Sequence, residues 1–298
     1  CEYTTNLHTM IVNPAPIVNT PNQNVNICEG GSVTPLFVQP NGPGTITYEW
    51  FENTSPTPTS VGTNSTYTPP TSVTGTFEYY CVVTFSSGGC NNVQSSIITI
   101  TIDPDPSIIV SPLSYQNICE GGSIANPLNI TVSGGVGTIS YQWYQNTSPT
   151  PTTVGNNPTF DPGILTTIGI YEYYVEVDYN GNGCDATTSA IAQIDVVADP
   201  IADTILSTQT VCQQTPSSAT SLVVNNVTGG INNTYDYQWY QNTSPTPTTV
   251  GSNSPVFTPP TNAVGTFEYY CVISNTPNST GCEYTTNLHT MIVNPAPI

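Results

Sequence analysis

The sequence predicts an all-β chain of small β-sandwich domains in tandem, on three observations. Residues 1–17 (CEYTTNLHTMIVNPAPI) return letter for letter as residues 282–298, so the chain spans one period of 281 residues, the interval from Cys1 to Cys282, plus an overlap. Inside that period Trp50, Trp143 and Trp239 sit in matching phrases: YEWFENTSPTPTSVG from Tyr48, and YQWYQNTSPTPTTVG from Tyr141 and again from Tyr237. The tryptophans are 93 and 96 residues apart, which leaves 92 of the 281 to the next copy, so one period holds three domains of sandwich size. The third observation is local. Short runs alternate apolar and polar residues between Gly, Pro, Asn and Ser clusters, and no segment sustains a helical period.

Taken in order, residues 1–17 read as the last strand of a preceding domain. The domains that follow read as 18–106, 107–201 and 202–298. They part at VNPAPI (12–17), IDPDPSI (102–108) and VADPIA (197–202), where alternating prolines remove ladder donors and hold the linker extended. In the first domain the expected strands are residues 21–28, 33–39, 45–51, a short edge at 59–61, then 65–70, 76–85 and 93–102. Seven strands fit an immunoglobulin-like sandwich, so the fold class is a linear array of tandem immunoglobulin-like β-sandwich domains. Trp50 on the third strand and Tyr79 on the sixth fall at core positions, with Trp143 and Tyr173, then Trp239 and Tyr269, as counterparts. Period-2 spacing puts Tyr79, Cys81 and Val83 on one face, toward Tyr48 and Trp50.

Composition bounds the partners. There is no Lys or Arg against 19 Asp plus Glu, a formal net charge of −19. Nucleic acid and anionic lipid are excluded as partners, because both need basic side chains to displace counterions from phosphate. Only 6% of residues are charged, so the polar surface is Thr, Ser, Asn and Gln, the palette of an extracellular β-protein. No stretch approaches the roughly twenty apolar residues of a membrane helix, so no direct membrane insertion is expected. No signal peptide is visible, and the segment reads as a mature interior piece of a longer chain.

Nine cysteines reduce to eight per period, since Cys1 duplicates Cys282, an even number suited to an oxidising exterior. Each domain keeps one Cys before its second strand (Cys28, Cys119, Cys212) and one after its sixth (Cys90, Cys184, Cys282). The sixth-strand Cys81 and Cys271 are replaced by Val175 in the second domain, which makes that position a buried thiol rather than half of a bridge. Inside one sandwich the constant pair lies at opposite poles, beyond the roughly 4.4 to 6.8 Å between Cα atoms that a disulfide tolerates. Bridges between neighbouring domains satisfy the distance: Cys28 to Cys184, Cys119 to Cys282, and Cys212 to the next copy's counterpart of Cys90. On sequence alone, Cys28 to Cys81 across a sandwich and Cys81 to Cys90 across a hairpin stay open as alternatives.

Several phrases together carry a resemblance. ICEGGS (27–32 and 118–123), Y-x-W-aromatic-x-N-T-S, TPPT, GTFEYYCV (75–82 and 265–272) and the pairs Gly89-Cys90, Gly183-Cys184 and Gly281-Cys282 resemble the tandem Ig-like repeats of very large Bacteroidota surface proteins. That group includes gliding-motility adhesins and other cargo of the type IX secretion system. The resemblance implies a secreted, cell-surface filament or stalk used in adhesion or gliding, in which such repeats act as spacers. The third domain departs from it, with VCQQTP in place of ICEGGS.

Catalysis has little material. His8 and His289 are one repeat position on a last strand, and there is no Lys nucleophile, Arg clamp, phosphate loop or zinc spacing, so no enzyme and no cofactor are expected. Calcium is the one metal considered: Asp103, Asp105, Asp199 and Asp203 lie in or beside linkers, near Glu29 and Glu120, and hard carboxylates suit that ion. The competing reading is solvated linker carboxylates, and the NPAPI junction has no acid at the matching places. The NTSPTPT phrase from Asn53, Asn146 and Asn242 favours an extended loop that could carry O-linked glycan. Asp203-Thr204-Ile205 matches the Bacteroidota O-glycosylation pattern and marks Thr204 as a candidate. The reading is thus a structural segment of an extracellular cell-surface filament, whose partners are neighbouring domains of the same chain, laterally associated filaments, and an external surface or polysaccharide. The alternative is a carbohydrate- or surface-binding module using exposed rings such as Phe51, Tyr144 and Tyr240.

Overall fold

The computed structural model describes residues 1–12, 14–54, 56–86, 92–214, 217–275 and 281–296. Strands account for all of the regular structure among them, and no helix is long and apolar enough to cross a membrane. The first ten strands are β1 (Ile17–Asn19), β2 (Val25–Cys28), β3 (Leu36–Phe37), β4 (Gln39–Asn41), β5 (Ile46–Glu52), β6 (Thr59–Gly62), β7 (Thr66–Tyr67), β8 (Gly75–Phe85), β9 (Val93–Gln94) and β10 (Ile98–Asp103). They form a six-stranded sheet in the order β2-β10-β8-β5-β6 with β9 on β8, and two small sheets, β1-β4 and β3-β7. The pair β10-β2 is parallel and the other mapped pairs are antiparallel, the arrangement of an immunoglobulin-like sandwich.

The same plan returns twice. The next strands are β11 (Ser107–Val110), β12 (Tyr115–Cys119), β13 (Leu128–Asn129), β14 (Thr131–Ser133), β15 (Thr138–Gln145), β16 (Thr152–Gly155), β17 (Thr159–Phe160), β18 (Gly169–Asn180), β19 (Thr187–Thr188) and β20 (Ala192–Val197). The last are β21 (Thr208–Cys212), β22 (Leu222–Val223), β23 (Tyr235–Gln241), β24 (Thr248–Val250), β25 (Val256–Phe257), β26 (Gly265–Asn275), β27 (Glu283–Thr285) and β28 (His289–Asn294). Their main sheets run β12-β20-β18-β15-β16 with β19 on β18, and β21-β28-β26-β23-β24 with β27 on β26. By contacts the chain divides into one compact unit of Cys1–Ile109, Thr131–Tyr141 and Glu176–Thr188, and a second of Val110–Ile130, Gln142–Val175 and Ser189–Ile298. The division passes through β15 and β18.

Alternation decides which side chains enter the core. Along β8, Tyr79, Cys81, Val83 and Phe85 are buried, and they pack with Trp50, Leu36, Val38, Ile98, Ile100 and Ile102. In the third sandwich Trp239, Tyr269, Cys271, Ile273, Met291 and Val293 form the corresponding core. All three tryptophans are fully buried, and each indole N–H donates to a backbone carbonyl, of Asn64, Asn157 and Ser254, so the ring is buried without orphaning its polar atom. A bridging ring stands between Trp and Tyr each time. Phe160 lies 5.7 Å from Trp143 and 5.3 Å from Tyr173, and Phe257 lies 5.4 Å from both Trp239 and Tyr269.

Several strands differ from expectation for local reasons. The run 93–102 is not one strand: it breaks between β9 and β10, where the buried Ser95 hydroxyl accepts from the Cys81 N–H and the Ser95 N–H donates to the Cys81 carbonyl. Ser189 and Thr286 do the same to Val175 and Cys271. The run 33–39 splits because β3 pairs with β7 while β4 pairs with β1, and the expected strand from residue 21 starts only at Val25. Residues 1–12 form no strand and are exposed, yet the same letters build β27 and β28, whose strand conformation comes from their neighbours β26 and β21.

Candidate functional site

The two places where one sheet is covalently tied to the next are the structure's most specific constellations. Cys28 ends β2 and bonds to Cys184, in the turn between β18 and β19, with Cα atoms 4.8 Å apart. Cys119 ends β12 and bonds to Cys282, just before β27, at 5.0 Å. Each half-bridge is positioned by its own sheet: Cys28 and Cys119 cap strands paired in parallel to β10 and β20. The chain then turns. Glu29 N–H donates to Asp103 O (2.9 Å), Gly30 N–H to Thr71 O (2.8 Å) and Gly31 N–H to Cys28 O (3.0 Å). Glu120, Gly121 and Gly122 repeat these bonds to Val197, Leu165 and Cys119.

Backbone contact surrounds the first bridge. Cys28 N–H donates to Asn182 O at 3.0 Å, Gly135 N–H to Pro104 O at 2.9 Å, and Asp185 N–H to the Asp105 carboxylate at 3.1 Å. A Cβ on Gly183 would stand 2.6 Å from Gly31 Cα, and one on Gly281 would stand 2.7 Å from Gly122 Cα, so no larger residue fits at either place without displacing backbone. Gly30 and Gly121 are turn residues, with φ of +78° and +79° and open space around them, whereas Gly31 and Gly122 take the close approach of Gly183 and Gly281. The available signal was Gly183-Cys184 and Gly281-Cys282, where glycine directly precedes a bridging cysteine.

The second bridge adds buried polar groups. Asn275 is fully buried: its Oδ1 accepts from Ile231 N–H (2.9 Å) and its Nδ2 donates to the carbonyls of Asn232 (3.0 Å) and Thr234 (3.1 Å). Gly230 N–H donates to Ala198 O at 2.9 Å. Asp199 Oδ1 is buried with no hydrogen-bond partner, and its pKa is raised, first by burial and then by the nearby Glu120 charge.

The remaining candidates are dispersed. Cys212 and Cys1 are exposed free thiols, Cys81 and Cys271 are buried free thiols, and Cys90 lies outside the described residues. Asp103 contributes only its carbonyl to the turn, Asp105 is engaged by Asp185, and Asp203 accepts from Asn226 Nδ2 at 2.6 Å. Among the described residues the one cluster with three metal-ligand atoms is Cys28, Asp105 and Cys184, whose two sulfurs are spent in the disulfide. Thr204 is exposed and precedes the buried Ile205. His8 is exposed, whereas His289 is buried, bonded to Gln209 and the Leu206 carbonyl, with its pKa lowered chiefly by burial. Phe51, Tyr144 and Tyr240 each stack on a tyrosine of the neighbouring strand, Tyr80, Tyr174 and Tyr270, at 5.3, 5.1 and 5.2 Å. Beside each pair an asparagine amide donates to a glutamate at 2.7 Å: Asn53 to Glu78, Asn146 to Glu172, Asn242 to Glu268.

Comparison with known proteins supports the architecture. Residues 14–104 match the family described as Ig-like domain, CHU_C associated. No curated protein matches the chain. Among solved structures, the three N-terminal domains of the bacteriophage RB49 Highly Immunogenic Outer Capsid protein (Hoc) are 15% identical, with a TM-score of 0.58 over 94% of this chain and 100% of that one. At that identity the likeness shows the fold, tandem Ig-like domains. Sidekick-1 immunoglobulin domains 1–5 (17% identity, TM-score 0.49, 95% of this chain and 60% of that one) and the titin I-band fragment I67–I69 (13%, 0.48, 96% and 100%) score lower.

Proposed function

We propose that this chain is a structural repeat segment of an extracellular, cell-surface filament or stalk serving adhesion or gliding, built from domains 18–106, 107–201 and 202–298, with residues 1–17 as the last strand of a preceding domain. The observation that carries it is the pair of disulfides, each joining one sandwich to the next at a glycine-lined contact. A spacer has to transmit load through its junctions, and a covalent staple beside a short proline linker limits how far neighbouring domains can separate or bend. Cys212 would continue the series by bonding the next copy's counterpart of Cys90. Disulfides belong to oxidising compartments, which supports secretion, and the match of residues 14–104 to an Ig-like family supports the repeat architecture, while export by the type IX system is what the resemblance of the repeat phrases to Bacteroidota surface proteins implies. Thr204 as a glycan acceptor is a separate proposal, tested by intact mass.

A second reading, a glycan-binding module, draws on the three stacked aromatic pairs. Their equivalent placement on each six-stranded sheet favours a repeated structural role. Electron tomography of producing cells with antibody against this chain tests the proposal. It expects surface filaments decorated once per three-domain period, about 110 to 120 Å at roughly 3.4 Å per strand residue. Label confined to globular particles without a repeat would contradict it.

A further inference from the structure

His289 occupies a core position that the other two sandwiches fill with hydrocarbon. The residue opposite the buried tyrosine of the long strand is Ile98 against Tyr79, Ala192 against Tyr173 and His289 against Tyr269, at 1%, 0% and 0% exposure. The partners of the two ring nitrogens fix the protonation of His289. Nδ1 faces the Leu206 carbonyl, so it carries the proton and donates. Nε2 lies 3.0 Å from the amide nitrogen of Gln209. That amide has a fixed orientation, because its oxygen accepts from Thr220 N–H at 2.9 Å and its nitrogen donates to Thr220 O at 3.2 Å. The ring Nε2 is therefore an acceptor, and the imidazole is neutral.

A second proton would have to enter at Nε2, where it would meet an N–H donor inside the fold. Reversing the Gln209 amide to receive it would forfeit both bonds to Thr220. The elements packed on the ring supply no counter-charge. β21 holds no acid, and Asp203, ahead of Leu206, is engaged by Asn226. On β26, Tyr269 lies opposite the ring, while Glu268 falls on the other face by alternation and accepts from Asn242. Tyr269 and Cys271 are kept neutral by burial, which raises both pKa values.

We propose that His289 is an acid-sensitive latch: neutral, it holds β21, the edge strand that ends at Cys212, against β28, and protonated it releases that strand. Gln209 stands on β21 and His289 on β28, which pair in parallel, so the ring, the amide and Thr220 join three segments. Burial lowers the folded pKa below the ordinary 6.5, so the latch is whole above pH 6.5 and is lost as pH falls toward the lowered value. The latch is independent of the filament reading.

Hydrogen exchange of the full chain between pH 7.5 and 5 tests it, read by mass spectrometry on β21 and β28 and corrected for the intrinsic pH dependence. Protection there should fall about tenfold or more, while β2 with β10 and β12 with β20 hold theirs within about twofold. His289→Ile, which installs the first sandwich's residue, should remove the fall. Gln209→Glu gives the imidazolium an acceptor and should likewise hold protection down to pH 5, which keeps the test decisive if the isoleucine variant does not fold. Constant protection in the parent, an equal fall in all three sandwiches, or an undiminished fall in Gln209→Glu or in folded His289→Ile would overturn the latch.

Discussion

Replacing Gly183 by alanine should weaken the Cys28–Cys184 bridge without melting either sandwich. The added Cβ would stand 2.6 Å from Gly31 Cα, where ordinary contact begins near 3.4 Å, so backbone on one side must retreat by most of an ångström. Overpacking of this kind costs about 1 to 3 kcal/mol. Most of that cost applies only when the two sandwiches are held together, so it enters the thiol–disulfide equilibrium as a roughly 5- to 150-fold lower oxidised-to-reduced ratio. Gly30→Ala is the matched control. Its φ of +78° is close to the +70° of Gly183, and nothing lies within 4 Å of its Cβ. It therefore incurs only the left-handed penalty of about 1 to 2 kcal/mol. Because Gly30 N–H bonds Thr71 O in its own sandwich, that penalty lowers thermal stability and leaves the redox ratio nearly unchanged. The assay is mass spectrometry of the bridged peptide across glutathione buffers, after cleavage at acidic or aromatic residues, since the chain has no Lys or Arg for trypsin. Equal redox ratios for the two variants would refute the close-approach argument.

Further outcomes follow from single positions. Burial pushes the Cys81 thiol up to about 11 and Cys271 up to about 12, so at pH 8 a maleimide should label Cys1 and Cys212 in native protein and reach Cys81 and Cys271 only after denaturation, as read by peptide mass. Cys81→Val should cost under about 1.5 kcal/mol in denaturant titration, because Val175 occupies the same core position in the second sheet. Asp199→Asn should stabilise the chain at pH 7. The folded pKa of Asp199 lies above its ordinary 3.8, so the carboxylate's penalty is fully present above the raised value and gone below 3.8, where the melting temperatures of variant and parent should converge. Trp143→Ala should lower stability by about 3 to 5 kcal/mol, measured as a loss of the second sandwich's unfolding transition.

Much of this structure was written in the sequence because strands announce themselves by alternation. Tyr79, Cys81 and Val83 could be placed inward from period 2 alone, and the three matching tryptophan phrases pointed to the three six-stranded sheets before any strand was drawn. The interruption at Ser95 was not legible, since a buried serine that exchanges two backbone bonds looks like any polar residue of a strand. Gly30 and Gly31 are indistinguishable as letters. One supplies a positive φ and the other an absent side chain, and only the position of Gly183 separates the roles. Asn275 was equally silent, because an amide that satisfies three backbone groups of a loop some forty residues away has no local signature.

Single-molecule electron microscopy of the chain before and after reduction, with tryptophan fluorescence as the folding control, tests the covalent coupling of successive sandwiches most directly. The core clusters around Trp50 and Trp239 contain no bridging sulfur. Reduction should therefore broaden the distribution of angles between neighbouring domains while the emission stays that of buried indole. An unchanged distribution accompanied by a red-shifted emission would contradict the account, because the cysteines would then be staples of the individual cores.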